Sequence, residues 1–212
     1  MRNFVDRKTR FAMGFLATIF VAASSAAERP AEHNVLAVWK PQTVEFDYRS
    51  AGRLYPCDVL EYKIGMILKR LGAHEHLQLK RFSCHDLAGR ARFEVVMQSP
   101  IEATADNVRA LTDYDSEDEL VARVRGITLP SQAEIETFPA VWATVSFGKL
   151  DLDSGDCALV QQLRRQILPK MAVQVTKDIR GVDCSQELTG IRGPRLRVLA
   201  LVPLETRMSE HR

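Results

Sequence analysis

Residues 57–84 read CDVLEYKIGMILKRLGAHEHLQLKRFSC, and residues 157–184 read CALVQQLRRQILPKMAVQVTKDIRGVDC. In each stretch two cysteines stand 27 residues apart around a run with helical spacing, and the second stretch begins 100 residues after the first. Leu60, Ile64, Ile67, Leu68 and Leu71 recur at the spacing that gives a helix one apolar face. Lys69 and Arg70 fall in the last turn, where cations oppose the negative end of the helix dipole, and Gly72 follows as a stop. HLQLKRF, residues 76–82, then alternates as a strand does.

Those lengths pair the cysteines. A helix over 58–71 rises about 21 Å and a strand over 77–83 covers about 23 Å. A strand running back antiparallel beneath the helix therefore returns Cys84 to Cys57, within the separation of about 6 Å between α-carbons that a disulfide needs. The same reasoning joins Cys157 to Cys184. Four cysteines allow three pairings, and the repeat selects the one with a bridge inside each copy.

The correspondence extends beyond the cysteines. VW at 38–39 pairs with VW at 141–142, TVEF at 43–46 with TVSF at 144–147, and RFEVVMQSP at 92–100 with RLRVLALVP at 195–203. Order matched at nearly constant offset reads as an internal duplication. In the first copy TVEFDYR puts Val44, Phe46 and Tyr48 on one face, and RARFEVVMQ does the same for Ala91, Phe93, Val95 and Met97. The unit is strand, helix, strand, strand. In the second copy Pro169 ends the helix near Leu168, and LRVLALVPL, apolar on both faces, reads as a central strand or the seam between halves.

The expected fold is α+β: two duplicated βαββ halves, mostly antiparallel sheet with helices packed on one face, each half stapled by a disulfide. The first half spans 28–100 and the second, with a C-terminal tail, 138–212. Between them, 101–137 forms an acidic helical connector, in which Ser116 is read as an N-cap, Glu119 as its capping-box partner and Gly126 as the helix end. Residues 101–140 carry nine acidic and three basic side chains, a pattern that solvates a surface.

The N-terminal order is that of a secretory signal peptide: basic MRNFVDRKTR, a 13-residue apolar run at 11–23, then the small residues SSAA at 24–27. Such a run, about 20 Å as a helix, falls short of a bilayer core of roughly 30 Å. Residues 1–27 are expected to be removed, leaving a protein with no membrane span that is periplasmic or secreted, a compartment in which paired cysteines persist. Removal takes away a net +3 from a chain of +2, so the remainder is −1, and a nucleic-acid partner inferred from basicity drops out.

Residues 55–73, YPCDVLEYKIGMILKRLGA, with AVWATV at 140–145 and CALVQQLRRQILPK at 157–170, resemble a family of uncharacterised exported proteobacterial proteins with duplicated cysteine-led helices. Val59 stands where that pattern has glycine. The resemblance spans most of the chain after the leader. It implies export and paired cysteines, and it carries over no catalytic residue.

Local signatures of chemistry are sparse. His74 and His76 in GAHEH are weak metal-ligand candidates, with His85 or His33 as further imidazoles, although no third ligand has recognisable spacing and a polar turn accounts for them. Zinc held by the cysteines would need pairs two to four residues apart, and redox chemistry would need Cys-x-x-Cys. Ser83, Cys84, His85 and Asp86 are sequence neighbours that a strand points to opposite faces. Trp39 and Trp142, at equivalent positions of the repeat, read as core anchors. No cofactor and no catalytic residue is expected. The functional expectation is an exported binding or structural module of the bacterial cell envelope, its partner another envelope protein. The alternatives are an envelope hydrolase with a dispersed carboxylate site and a periplasmic metal-binding protein. Mass spectrometry of the protein from its native host should find a chain beginning near Ala27 or Glu28; an intact Met1 on the mature protein would contradict the leader.

Overall fold

A computed structural model describes residues 34–84, 87–177, 194 and 196–204. Its strands and helices follow one another as β1 (Asn34–Arg49), β2 (Tyr55–Pro56), α1 (Cys57–Arg70), β3 (Gln78–Ser83), β4 (Leu87–Ala88), β5 (Arg90–Glu102), α2 (Ala105–Leu111), α3 (Ser116–Arg125), β6 (Phe138–Ser146), α4 (Cys157–Gln166), β7 (Val173–Lys177) and β8 (Arg197–Pro203). Six strands form one antiparallel sheet in the order β3-β5-β1-β6-β8-β7, and β2 and β4 form a separate two-stranded ribbon. The fold is α+β.

The inward face of the sheet follows from the period-two pattern. Tyr48 stands opposite Ala91, Phe46 opposite Phe93 and Val44 opposite Val95 across β1 and β5. These residues share one cluster with Leu60, Ile64, Ile67, Leu68 and Leu71 around α1, with Leu159, Val160 and Leu163 of α4, and with Val198, Ala200 and Val202 of β8. Helix α1 ends as its sequence specifies. Gly72 has φ of 93°, and a Cβ there would lie 2.4 Å from the Leu201 carbonyl oxygen, so only glycine fits.

Alternate residues point to the other face, where Ala37, Ala140 and Leu201 form a smaller cluster. Both tryptophans are half-buried on this side of the main core. Trp142 packs against the small cluster and donates to Glu102 Oε1 at 2.7 Å, while Trp39 stacks on Phe138 with ring centroids 4.5 Å apart.

Strand β1 is the longest, and its two edges are treated differently. It pairs with β5 from Ala37 to Arg49, but with β6 only from Asn34 to Ala37. Helix α4 serves that second edge near its far end, at Asp47 and Arg49. Gln166 accepts from the Asp47 N–H and donates to the Asp47 carbonyl, both at 2.8 Å; Gln162 does the same at Arg49, both at 2.7 Å. Four helix residues rise about 6.0 Å and two strand residues span about 6.6 Å. Two amides four apart on a helix thus match alternate residues of a strand and stand in for a neighbouring strand.

The segment between β5 and β6 holds α2, which buries no side chain, and α3, which buries only Ala122. Gly126 closes α3 in the left-handed conformation at φ of 65°. The capping box lies one residue earlier than the sequence suggests. Asp115 is the N-cap and Asp118 its partner: the Asp115 carboxylate accepts from the Glu117 and Asp118 amides, and Ser116 and Glu119 fall inside the first turn. Helix α4 ends at Gln166, two residues before the expected point, and Pro169 sits in the 3-10 turn Leu168–Lys170 that follows. Strand β8 is internal, between β6 and β7, whereas the seam between the two sets of strands is the short β1–β6 pairing. Replacing Gln162 or Gln166 by alanine should each lower stability by about 1 kcal/mol, the net worth of hydrogen bonds lost at a strand edge, read from urea unfolding.

Candidate functional site

The Cys57–Cys84 disulfide is formed, with α-carbons 6.0 Å apart. It joins the first residue of α1 to the residue after β3, so it ties together the helix and the edge strand. Cys184 lies outside the described residues, and with it the expected Cys157–Cys184 pairing.

Beside that bridge runs a groove of about 660 Å³ whose two walls are α1 and β3. Gly65, Met66, Leu77 and Leu79 floor it, and Met66, Leu77 and Leu79 pack on their inner sides against the main core. A Cβ on Gly65 would lie 3.7 Å from Leu79, an ordinary contact, so glycine here leaves a recess without being sterically obligatory. The helix runs antiparallel to the strand, and the rim charges sort accordingly. Asp58 and Glu61 stand toward the disulfide and Lys69 and Arg70 toward the far end. Arg81 of β3 reaches Glu61 across the groove at 2.5 Å. Tyr62, exposed by 68%, overhangs the same side, and Leu54, Val59, Phe82 and Leu87, each more than a third exposed, belong to the segments around the bridge. An apolar floor within a charged rim binds by burying apolar area and orients by charge.

A second cluster is polar and closed. Asp156, at the N-cap of α4, is fully buried. Its Oδ1 accepts from the Tyr55 hydroxyl at 2.5 Å; its Oδ2 accepts from Lys63 Nζ at 2.6 Å and from the Asp153 N–H at 2.8 Å. Arg53 lies over the Tyr55 ring, 5.1 Å from its centroid, and pairs with Asp153. Burial, and then the hydrogen bond and charge of Asp156, push the Tyr55 hydroxyl far above the ordinary tyrosine value, so it remains a donor. Burial also pushes the Asp153 carboxyl up, but the hydrogen bond and charge of Arg53 outweigh it and leave the carboxyl below its usual value. Tyr55 is 1% exposed and the Lys63 side chain 13%, so Asp156 has no open path for a substrate. Its oxygens are all partnered, and the cluster works as a clamp between the start of α1 and the start of α4.

His74 and His76 lie in the turn after α1, their ring centroids 4.6 Å apart. His74 meets Trp39 edge-on at 4.8 Å, and its Nδ1 accepts from the His76 N–H at 3.2 Å. Among the described residues no group of three His, Cys, Asp or Glu side chains is placed to hold a metal ion. His33 and His85 fall outside the described residues. No helix among the described residues is long and apolar enough to cross a membrane.

Sequence reading identified the cysteines and missed both clusters. The groove left two traces: Gly65, the only glycine inside α1, and Tyr62 with Met66, four apart and off the inward stripe. Nothing local marks Tyr55, Lys63 and Asp156 as neighbours, since the last lies 93 residues beyond Lys63. No family model, curated protein or solved structure matches the chain.

Lys63→Met should destabilise the protein by about 3 to 5 kcal/mol by leaving the Asp156 carboxylate buried without its cation, and Lys63→Met with Asp156→Leu should recover part of that loss. Chemical denaturation of these two variants and of Asp156→Leu alone checks it; a double-variant loss equal to the sum of the two single losses would show that the pair acts independently.

Proposed function

We propose that this protein is an exported binding module of the bacterial cell envelope, periplasmic or secreted, that holds an elongated ligand between α1 and β3. The observation that carries the reading is the coincidence of the groove with the disulfide: among the described residues the groove is lined by α1, β3 and Leu77 just before β3, and Cys57–Cys84 joins α1 to the end of β3. A bridge at the groove's end holds both walls in place before a ligand arrives, which reduces the ordering that binding requires. Oxidising conditions keep such a bridge closed, in keeping with the leader-like N-terminus. Against the hydrolase alternative, the one fully buried carboxylate among the described residues, Asp156, is sealed and ion-paired rather than open to a cleft.

The proposal includes an internal duplication, with a second bridge between Cys157 and Cys184. Its support is the strand order. Each copy runs strand, helix, strand, strand, and β3-β5-β1 followed by β6-β8-β7 places the corresponding strands in mirror order about the β1–β6 seam. The acidic segment carrying α2 and α3 then joins the copies.

A photo-crosslinking residue at Tyr62 tests the reading in intact cells of the native host, with Val124, exposed on α3, as the control position. A discrete adduct at position 62, absent at 124 and weakened by Cys57→Ser with Cys84→Ser, is the expected result. Adducts equally frequent at both positions, or unaffected by loss of the bridge, would overturn it.

A further inference from the structure

We infer that the ligand of this groove is an extended polypeptide segment that adds to the free edge of β3, an inference that rests on the binding role proposed for the groove. Strand β3 ends the sheet and pairs only with β5 among the described residues, so its outer edge offers backbone N–H and carbonyl groups in a row. Helix α1 faces that same strand across the groove. A slot with a helix for one wall and an open strand for the other fits a strand better than a compact molecule, because the backbone of the ligand completes the ladder while its side chains meet the helix.

The dimensions agree. From Glu61 to Lys69 the helix rises about 12 Å, and from Leu77, just before β3, to Arg81 extended chain covers about 13 Å, a length for four residues of incoming chain. Leu77 and Leu79 both line the groove at the period of a strand. A ligand residue in register with them places its side chain in the recess at Gly65, against Met66. The pairing of β3 with β5 shifts register between Arg81 and Ser83, which ends the regular edge before the disulfide. Charge then sets direction. Glu61 and Arg81 satisfy one another, which leaves Asp58 at the disulfide end and Lys69 at the other to orient a ligand. The segment that fits is apolar at its centre and acidic at the end lying beside Lys69.

A library of short synthetic peptides with varied central and terminal residues, and a panel of soluble oligosaccharides beside it, are titrated into the oxidised protein. The readouts are fluorescence polarisation and amide hydrogen exchange. Two variants are carried in parallel: Gly65→Trp, which fills the recess, and Lys69→Glu, which reverses the rim and cannot disturb the core. Peptides with an apolar centre and an acidic end should bind, slow exchange within residues 78–81, and lose affinity at least tenfold in both variants. Should Gly65→Trp fail to fold, Lys69→Glu and the exchange pattern decide. Oligosaccharides binding in a Gly65→Trp-sensitive manner while no peptide binds more tightly than about 1 mM would overturn the polypeptide inference and leave the groove reading standing. Binding of every probe unchanged by both variants would overturn the two together.

Discussion

A strand inside a sheet must find hydrogen-bond partners along both of its edges, and β1 meets this requirement with two kinds of partner. On one side β5 runs beside it from Ala37 to Arg49; on the other, β6 pairs with its first four residues and the side chains of Gln162 and Gln166 bond Arg49 and Asp47 near its end. Because the glutamines belong to α4, satisfying the backbone of β1 also docks α4. The same helix brings Leu159, Val160 and Leu163 into the cluster that contains Phe46 and Phe93. The two sets of strands are joined directly by little backbone pairing, and their union depends on this helix.

Electrostatics reinforces the union at a second point. Asp156 begins α4, Lys63 lies within α1 and Tyr55 precedes it, so a buried charge pair fixes the relation between the two helix starts. Such a pair adds little net stability over apolar groups of the same size, yet breaking it is expensive, and it therefore favours one arrangement over others. Helix α1 is thus held from two directions, by Asp156 and by the bridge to Cys84. Its outward side is left to face β3 across the groove.

Residues that report on their own surroundings through periodicity were legible in the sequence. The apolar stripe of α1, the alternation in β1 and β5, the glycines at 72 and 126 and the pairing of Cys57 with Cys84 are local patterns, or short-range ones limited by element length. Residues whose environment is set by chain segments far away were not. Gln162 and Gln166 look like ordinary solvated positions on an amphipathic helix until β1 is placed beside them, and Lys63 looks like a surface charge. Asp115 displaced Ser116 as the cap for a smaller reason: both types cap well, and one residue of shift decides between two adjacent candidates. The groove was hard to read because a concavity is defined by what is missing, and only Gly65 and the pair Tyr62 and Met66 record it.

The position of the bridge along the chain affects how the sheet assembles. Cys57 and Cys84 both lie within the segment that connects β1 to β5, so oxidation removes 27 residues from the loop those strands must close. The entropy of closure falls by about 1 kcal/mol, which quickens pairing about fivefold where closure limits the rate. A chain emerging into an oxidising compartment can form this link before β6, α4 and β8 have arrived. The hairpin-like half that forms first presents β1 with its second edge still open, as the template onto which the remaining strands and the two glutamines are laid.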